Sequence, residues 1–417
     1  MTGQQPPIPA SESRRIVVLL GMHRCGTSAL TRGLLTLGVD LGDSLMPPNE
    51  GNRRGYWEDT EVVALNDQLL ARFGHSWHTI TSIPDEQLTG EATADLMLEA
   101  ATLLRRKLKE GRVFAMKDPR MARLLPFWKA VFAHLCLDAA YVIAVRNPVS
   151  VAASLRRRDS FPAEKSHYLW QGHMLAALHH SAGHARVIVE YDTLMADPLP
   201  QLRRLADGLG LPLNVEEAER YARDFLTEEL RHSTFDAEDL RLERSVPQEV
   251  TVAHTLLHRL AQDELSPEAP AAIATLASLT QAFDRLRPAF TYMGRMDRAL
   301  GILNHQVEEQ AHQIATLTQS LSTIDARAQM LVHEVRILND VLTEAPAGPE
   351  VRAAPAATPQ LRQGLVNARR LKARLAAMEN STSWRITRPL RAFFQSWPMA
   401  RRAVHLALSV LTLRMLG

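Results

Sequence analysis

The stretch Ile16–Leu30, IVVLLGMHRCGTSAL, constrains the fold more than any other part of the chain. Its first five residues are all apolar, three of them β-branched, which reads as a short strand buried on both faces. Gly21 and Gly26 bracket the loop that follows, and a helix opens near Thr27. Glycines let a backbone turn tightly and come close to a ligand, while a helix start presents unpaired N–H groups and the positive end of its dipole. The element is therefore an anion cradle suited to phosphate or sulfate.

A nucleotide triphosphate loop with this glycine spacing requires Lys directly after the second glycine, and here Thr27 and Ser28 follow instead. The cation that remains is Arg24. A second motif lies at Tyr141–Arg158, where the apolar run YVIAV ends in RNPVSVAASLRRR. Strand, cap, helix is the parse: Asn147 caps, Pro148 fits the first turn, Arg146 sits at the strand's carboxyl end and Ser154 lies two turns along the helix. Ligands of open α/β sheets bind at strand carboxyl ends, so Arg146 and the Gly21–Ser28 loop can face one crevice.

Together the two motifs resemble sulfotransferases that use 3′-phosphoadenosine 5′-phosphosulfate (PAPS), over about residues 14–290. The resemblance implies an α/β fold: a P-loop NTPase-like three-layer domain with a central parallel sheet. It implies that His23, Arg24, Cys25, Gly26, Thr27 and Ser28 form the 5′-phosphosulfate loop, and that Arg146 and Ser154 hold the 3′-phosphate that distinguishes PAPS from ATP. Arg231, in the string LRHS, resembles a late segment near the nucleotide in bacterial members. Val187–Gly210 resembles the family's late strand, acidic turn and packing helix and reads as structural.

Sulfuryl transfer needs a positioned base, in-line geometry, and donors where charge develops on the leaving oxygens. Members with a Lys-x-His base have no counterpart here, because Pro119 stands at the His position of Lys117-Asp118-Pro119. A second group uses a Glu after the first helix, and Gly55-Tyr56-Trp57-Glu58-Asp59 resembles that segment. Glu58 is the leading base and Asp118 the runner-up, with Lys117, and Arg120 beside it, on the sulfuryl group or acceptor. The rival reading of Glu58 is a helix N-terminal charge ahead of Val62, Leu65 and Leu69.

With 417 residues, 46% hydrophobic and 23% charged, the chain has ample globular core beyond one typical domain. Two cysteines, Cys25 and Cys136, exclude a disulfide framework and suit a reducing cytoplasm. The sixteen histidines show no ligand spacing, so no metal is expected. The N-terminal residues 1–13 read as a flexible tail without a secretory signal, and 14–292 as the sulfotransferase domain.

From Met296 the apolar residues recur in steps of three and four through Leu300, Leu303, Val307, Ile314, Leu317, Leu321 and Ile324 to Leu342, with Gln310 the one interruption. This predicts a coiled coil over 293–343 and a homo-oligomer, two- and three-stranded forms both fitting. Residues 344–360 read as a Pro/Ala-rich linker and 361–417 as a basic helical tail. That tail carries ten Arg and one Lys against the single acid Glu379, a surplus of ten, so the first 360 residues hold −8 of the overall +2. Its Ser-x-Ser-Trp-Arg-x-Thr-x-Pro-Leu-Arg string resembles the ends of envelope-polysaccharide enzymes. Phe393, Phe394, Trp397 and flanking Arg fit either peripheral contact with an anionic membrane or docking on the protein's own surface, and no nucleic acid partner is expected.

The expected activity is sulfuryl transfer from PAPS to a carbohydrate or glycolipid hydroxyl, with the protein cytoplasmic and the inner face of the membrane as its possible station. A P-loop-like kinase and a non-catalytic scaffold of a polysaccharide-assembly complex are the rivals. The acceptor-reading segments, 73–89 and 158–172, are expected to be loops and carry no legible pattern.

Overall fold

The computed structural model describes residues 14–48, 55–108, 113–226, 235 and 237–344, with scattered positions between 363 and 380. Arg231, the N-terminal tail, the linker after Glu344 and nearly all of the basic tail lie outside the described residues.

The strands are β1 (Arg15–Gly21), β2 (Phe114–Lys117), β3 (Asp138–Val145) and β4 (Arg186–Glu190). They form one parallel sheet in the order β2-β1-β3-β4, with Leu19 beside Lys117, Gly21 beside Ala144, and Val145 beside Glu190. Ile16–Leu20 and Ala139–Val145 are buried throughout, as central parallel strands covered on both faces must be.

In chain order the helices are α1 (Thr27–Leu34), α2 (Thr60–Arg72), α3 (Asp85–Leu88), α4 (Ala94–Lys107), α5 (Met121–His134), α6 (Pro148–Asp159) and α7 (Ala163–His180). There follow α8 (Tyr191–Ala196), α9 (Pro198–Leu209), α10 (Val215–Arg220), α11 (Ala237–Leu242), α12 (Gln248–Ala261), α13 (Pro270–Arg285) and α14 (Arg287–Glu344). α5 and α7 pack on β1 and on each other, and α7 also meets α12 and α13. On another part of the sheet α9 lies against β4, and α1 approaches α9 where Gly33 faces Leu202 and Tyr221. The Tyr221 hydroxyl, fully buried, donates to the Ala29 carbonyl at 2.7 Å and ties this layer together. The α/β domain with a central parallel sheet and flanking helices is the architecture expected from Ile16–Leu30.

The described residues through Leu300 group in one unit and the described residues from Gly301 in another. α14 is continuous over 58 residues, and its Leu300, Leu303, Val307, Ile314, Leu317, Leu321 and Ile324 side chains are all at least half exposed. No described helix is long and apolar enough to cross a membrane.

The loop expectation is corrected in both segments, and in 73–89 the short helix α3 occupies Asp85–Leu88. Of the segment 158–172, only Ser160–Pro162 is non-helical: α6 runs to Asp159 and α7 begins at Ala163. α7 escapes pattern reading because it is buried on most sides, with Ser166, His167, Gln171 and His173 inside among Leu169, Trp170 and Met174, so it has no polar stripe.

Close packing of α9 on β4 gives a signed test. A Cβ at Gly208 would lie 2.4 Å from Val187 Cγ2, and a buried β-branched side chain has no rotamer into which to retreat. Gly→Ala inside a helix ordinarily stabilises by about 1 kcal/mol. Gly208→Ala is expected instead to lower stability by about 1–3 kcal/mol in urea unfolding.

Candidate active site

Parallel pairing puts the carboxyl ends of β1, β2 and β3 on one edge of the sheet, and the loop 22–26 leaves β1 there. Cys25 N–H donates to the Met22 carbonyl at 3.1 Å, and Leu30 N–H to the Gly26 carbonyl at 3.1 Å, so the loop turns directly into α1. Gly26 caps that helix at φ 82° with no side-chain cap, and a Cβ there would fall 2.1 Å from the Tyr191 ring. Glycine is required at this position twice over, by conformation and by space. Arg24 also lies in the left-handed region, φ 72°, a conformation costing about 1–3 kcal/mol for a residue with a Cβ. Its Nε donates to Ser154 Oγ at 2.7 Å.

That bond joins the two halves of the site. Ser154 is buried two turns into α6, whose first turn is held by Asn147, with Val149 N–H donating to Asn147 Oδ1 at 2.9 Å. Arg146, buried at the end of β3, donates from Nη1 to the Arg24 carbonyl at 3.3 Å, and its guanidinium lies 4.7 Å from the centre of the Tyr191 ring. Trp170 Nε1 donates to the Arg146 carbonyl at 3.1 Å and anchors the strand end. Thus Arg24, Arg146 and Ser154 converge on the loop that Gly26 shapes.

A second cluster reaches the same loop from β2. Lys117 Nζ donates to Glu58 Oε1 at 2.5 Å, to the Tyr56 carbonyl at 2.9 Å and to Ser28 Oγ at 3.4 Å. Glu58 is held in place by its backbone: Met46 N–H donates to its carbonyl at 2.7 Å, and Thr60 N–H to the Ser44 carbonyl at 2.8 Å. Trp57, with φ 58°, makes the bend that presents it. The helix-start role falls to Asp59, which caps α2 through Glu61 and Val62 N–H and pairs with Lys107 at 2.5 Å. Burial lifts the Glu58 carboxyl above the ordinary carboxylate range; Lys117 opposes that rise and the Asp118 charge adds to it.

Asp118 is fully buried and fully engaged. Asn66 Nδ2 donates to its Oδ2 at 2.8 Å, Arg120 N–H to its Oδ1 at 3.0 Å, and Arg120 Nη1 to both oxygens. Trp128 Nε1 fixes Asn66 in turn, at 2.8 Å. Such a carboxylate orients Arg120, which also pairs with Asp67 at 3.0 Å.

Cys25 is buried, and burial pushes its thiol up to about 12, so it is no nucleophile at neutral pH. Burial and the nearby cations Arg158, Arg120 and Lys117 hold the His23 imidazole well below its ordinary pKa, leaving it neutral at pH 7. Among the described residues, no three His, Cys, Asp or Glu side chains gather as a metal site. Sequence reasoning named Arg24, Ser28, Glu58, Lys117, Asp118, Arg120, Arg146 and Ser154 but not their links: Arg24–Ser154 spans 130 positions and Lys117–Glu58 spans 59. It gave no role of their own to Tyr56, which serves through its carbonyl, or to Tyr191, whose ring packs on both Gly26 and Arg146; no side-chain pattern marks either role.

Residues 17–215, a little under half of the chain, match the model of the sulfotransferase family. No curated protein matches the sequence. Among solved structures, the sulfotransferase domain from the curacin biosynthetic pathway is 19% identical with a TM-score of 0.33, the match covering 52% of this chain and 81% of that one. The sulfotransferase domain of the Synechococcus PCC 7002 olefin synthase gives 19%, 0.33, 63% and 98% for the same quantities. Retinol dehydratase, solved with androsterone and the inactive cofactor PAP, gives 14%, 0.26, 66% and 80%.

Proposed function

We propose that the protein transfers the sulfuryl group of PAPS to a hydroxyl of a carbohydrate or glycolipid, releasing adenosine 3′,5′-bisphosphate (PAP). The observation that carries the reading is the convergence of Arg24, Arg146 and Ser154 on the Gly26 loop, beside the Glu58–Lys117 pair. In this assignment the N–H groups of the loop and of α1, with Arg24, Thr27 and Ser28, receive the phosphosulfate, and Arg146 with Ser154 receives the 3′-phosphate. A kinase reading is disfavoured, since Thr27 occupies the position of the phosphate-binding Lys.

Glu58 acts as the base. The acceptor oxygen attacks sulfur while the bond from sulfur to the bridging phosphate oxygen breaks. Its electron pair stays on that phosphate oxygen, and the acceptor proton passes to the Glu58 carboxylate. Lys117 supplies positive charge where the sulfuryl group and leaving oxygen carry negative charge. Glu58 is preferred to Asp118 because both Asp118 oxygens already accept hydrogen bonds inside the fold, whereas Glu58 is held by a lysine that the sulfuryl group would recruit.

Titration calorimetry tests the nucleotide site. PAP should bind more tightly than ATP, and Arg146→Ala should weaken PAP by about 10–100-fold, in keeping with loss of charge-assisted hydrogen bonds, while erasing the preference over ATP. Equal binding of ATP and PAP by the wild type would return the chain to the kinase or scaffold reading.

The pH profile tests the base. Only deprotonated Glu58 accepts a proton, so kcat/KM falls as pH drops through its pKa, which burial has raised. Lys117 favours the ionised form; in Lys117→Met that attraction is gone and the acid limb should move to higher pH. Glu58→Gln should lower turnover by about 10²–10⁴-fold. An acid limb that stays in place in Lys117→Met would count against Glu58.

The exposed heptad stripe of α14 fits a second copy of the chain, because a narrow apolar seam repeated every three and four residues is what a coiled-coil partner covers. Sedimentation equilibrium should give an oligomer for the wild type and a monomer for Leu317→Asp/Leu321→Asp. The basic tail is assigned to the inner membrane face by its aromatic and Arg content alone.

A further inference from the structure

The two segments without a legible sequence pattern, 73–89 and 158–172, meet in a single wall beside the donor loop. The Trp77 and Phe161 rings stack at 5.5 Å with 29° between planes, and His78 lies 5.5 Å from Phe161. The wall touches the loop through His23, whose ring centre is 4.4 Å from that of Trp77. The Arg158 guanidinium sits 5.2 Å from the Trp77 ring, and Lys165 Nζ lies 4.6 Å from the Phe161 ring. Both cations are matched: Arg158 pairs with Asp159 at 2.8 Å and Lys165 with Asp297 at 2.6 Å.

The chemistry of that wall is specific. A strongly anionic acceptor calls for cations without partner acids, and here each has one. A flat apolar acceptor calls for a pocket without charge, and here aromatic rings are edged by ion pairs. A neutral pyranose ring presents an apolar C–H face and a rim of hydroxyls that both donate and accept. Rings bordered by Arg–Asp and Lys–Asp pairs offer the complement to both parts. His23 Nε2 is buried with no hydrogen-bond partner among the described residues, beside the loop and the wall alike. Burial keeps that imidazole neutral, so the nitrogen can accept from or donate to a hydroxyl.

We propose that Trp77, His78 and Phe161, edged by Arg158 and Lys165, form the acceptor subsite, that it takes a neutral pyranose ring, and that His23 positions the reacting hydroxyl at the donor loop. The assignment rests on the sulfotransfer reading and specifies its acceptor.

The test is saturation-transfer NMR on the full chain with saturating PAP, the probes being maltotetraose, cellotetraose and mannotetraose in competition with 4-nitrophenol. At least one tetrasaccharide should receive saturation at its ring C–H protons. Trp77→Ala and Phe161→Ala should each cut that signal at least about fivefold, with PAP affinity unchanged by calorimetry, and Trp77→Phe should restore most of it. His23→Ala should lower kcat for the bound sugar more than it raises KM. The assignment is overturned if no tetrasaccharide gives a signal, if the signal survives both alanine substitutions, or if 4-nitrophenol displaces it and takes its dependence on Trp77. Because PAP binding is read separately, a wild type that fails to bind PAP overturns the sulfotransfer reading itself, whereas intact PAP binding without sugar contact overturns the subsite alone.

Discussion

Parallel pairing of β1 between β2 and β3 is the constraint on which everything else rests. Parallel strands end together, so Gly21, Lys117 and Val145 close on one edge of the sheet although nearly a hundred positions separate β1 from β2. Each strand is buried on both faces, which leaves its carboxyl end as the place where polar side chains can emerge. Three cations reach that edge from three different strands or their loops: Arg24 after β1, Lys117 at the end of β2 and Arg146 after β3. Like charges repel; Glu58 offsets the Lys117 charge at 2.5 Å, and in the proposed assignment an anionic donor would offset the other two.

Glu58 and Asp118 show how environment divides labour between two carboxylates in one crevice. Asp118 lies one residue beyond β2 and spends both oxygens on Arg120 and Asn66, so its charge is used inside the protein. Glu58 hangs from a bend made by a left-handed Trp57 and is held by a lysine that also touches Ser28. Anything that draws Lys117 toward the loop loosens its hold on Glu58 and raises that carboxyl's basicity further. In the proposed mechanism, donor binding and the strength of Glu58 as base would thereby be coupled through one ammonium group.

How much of this was legible in the sequence follows from the range of the interactions. The Ile16–Leu30 and Tyr141–Arg158 segments announce themselves because strand, turn and cap are local events, and Asn147, Pro148 and Gly26 stand where the expected elements need them. Glu58 could be nominated from its neighbours, but its pairing with Lys117 depends on β2 adding to β1, a tertiary fact. α7 stayed hidden for a different reason: a helix buried on most sides shows no amphipathic period, and its buried His167, Gln171 and His173 read as loop composition. Arg231 lies outside the described residues.

The aromatic wall was the least legible part, since Trp77 and Phe161 lie in separate segments and neither carries a pattern alone. Their meeting is a product of α6 and α7, which bring Arg158, Phe161 and Lys165 to one side of the donor loop, while the segment after α2 brings Trp77 and His78 to the same place. In the proposed assignment, donor recognition is built on strand ends that the sheet makes rigid, whereas the wall hangs on a short helix-to-helix turn and an irregular segment. On that reading, changes there would alter what is presented to the sulfuryl group without replacing Arg24, Arg146 or Ser154. Such an arrangement would keep one reaction constant and let the acceptor vary: the two motifs that point to the reaction are local in sequence, whereas the wall exists only as tertiary contacts.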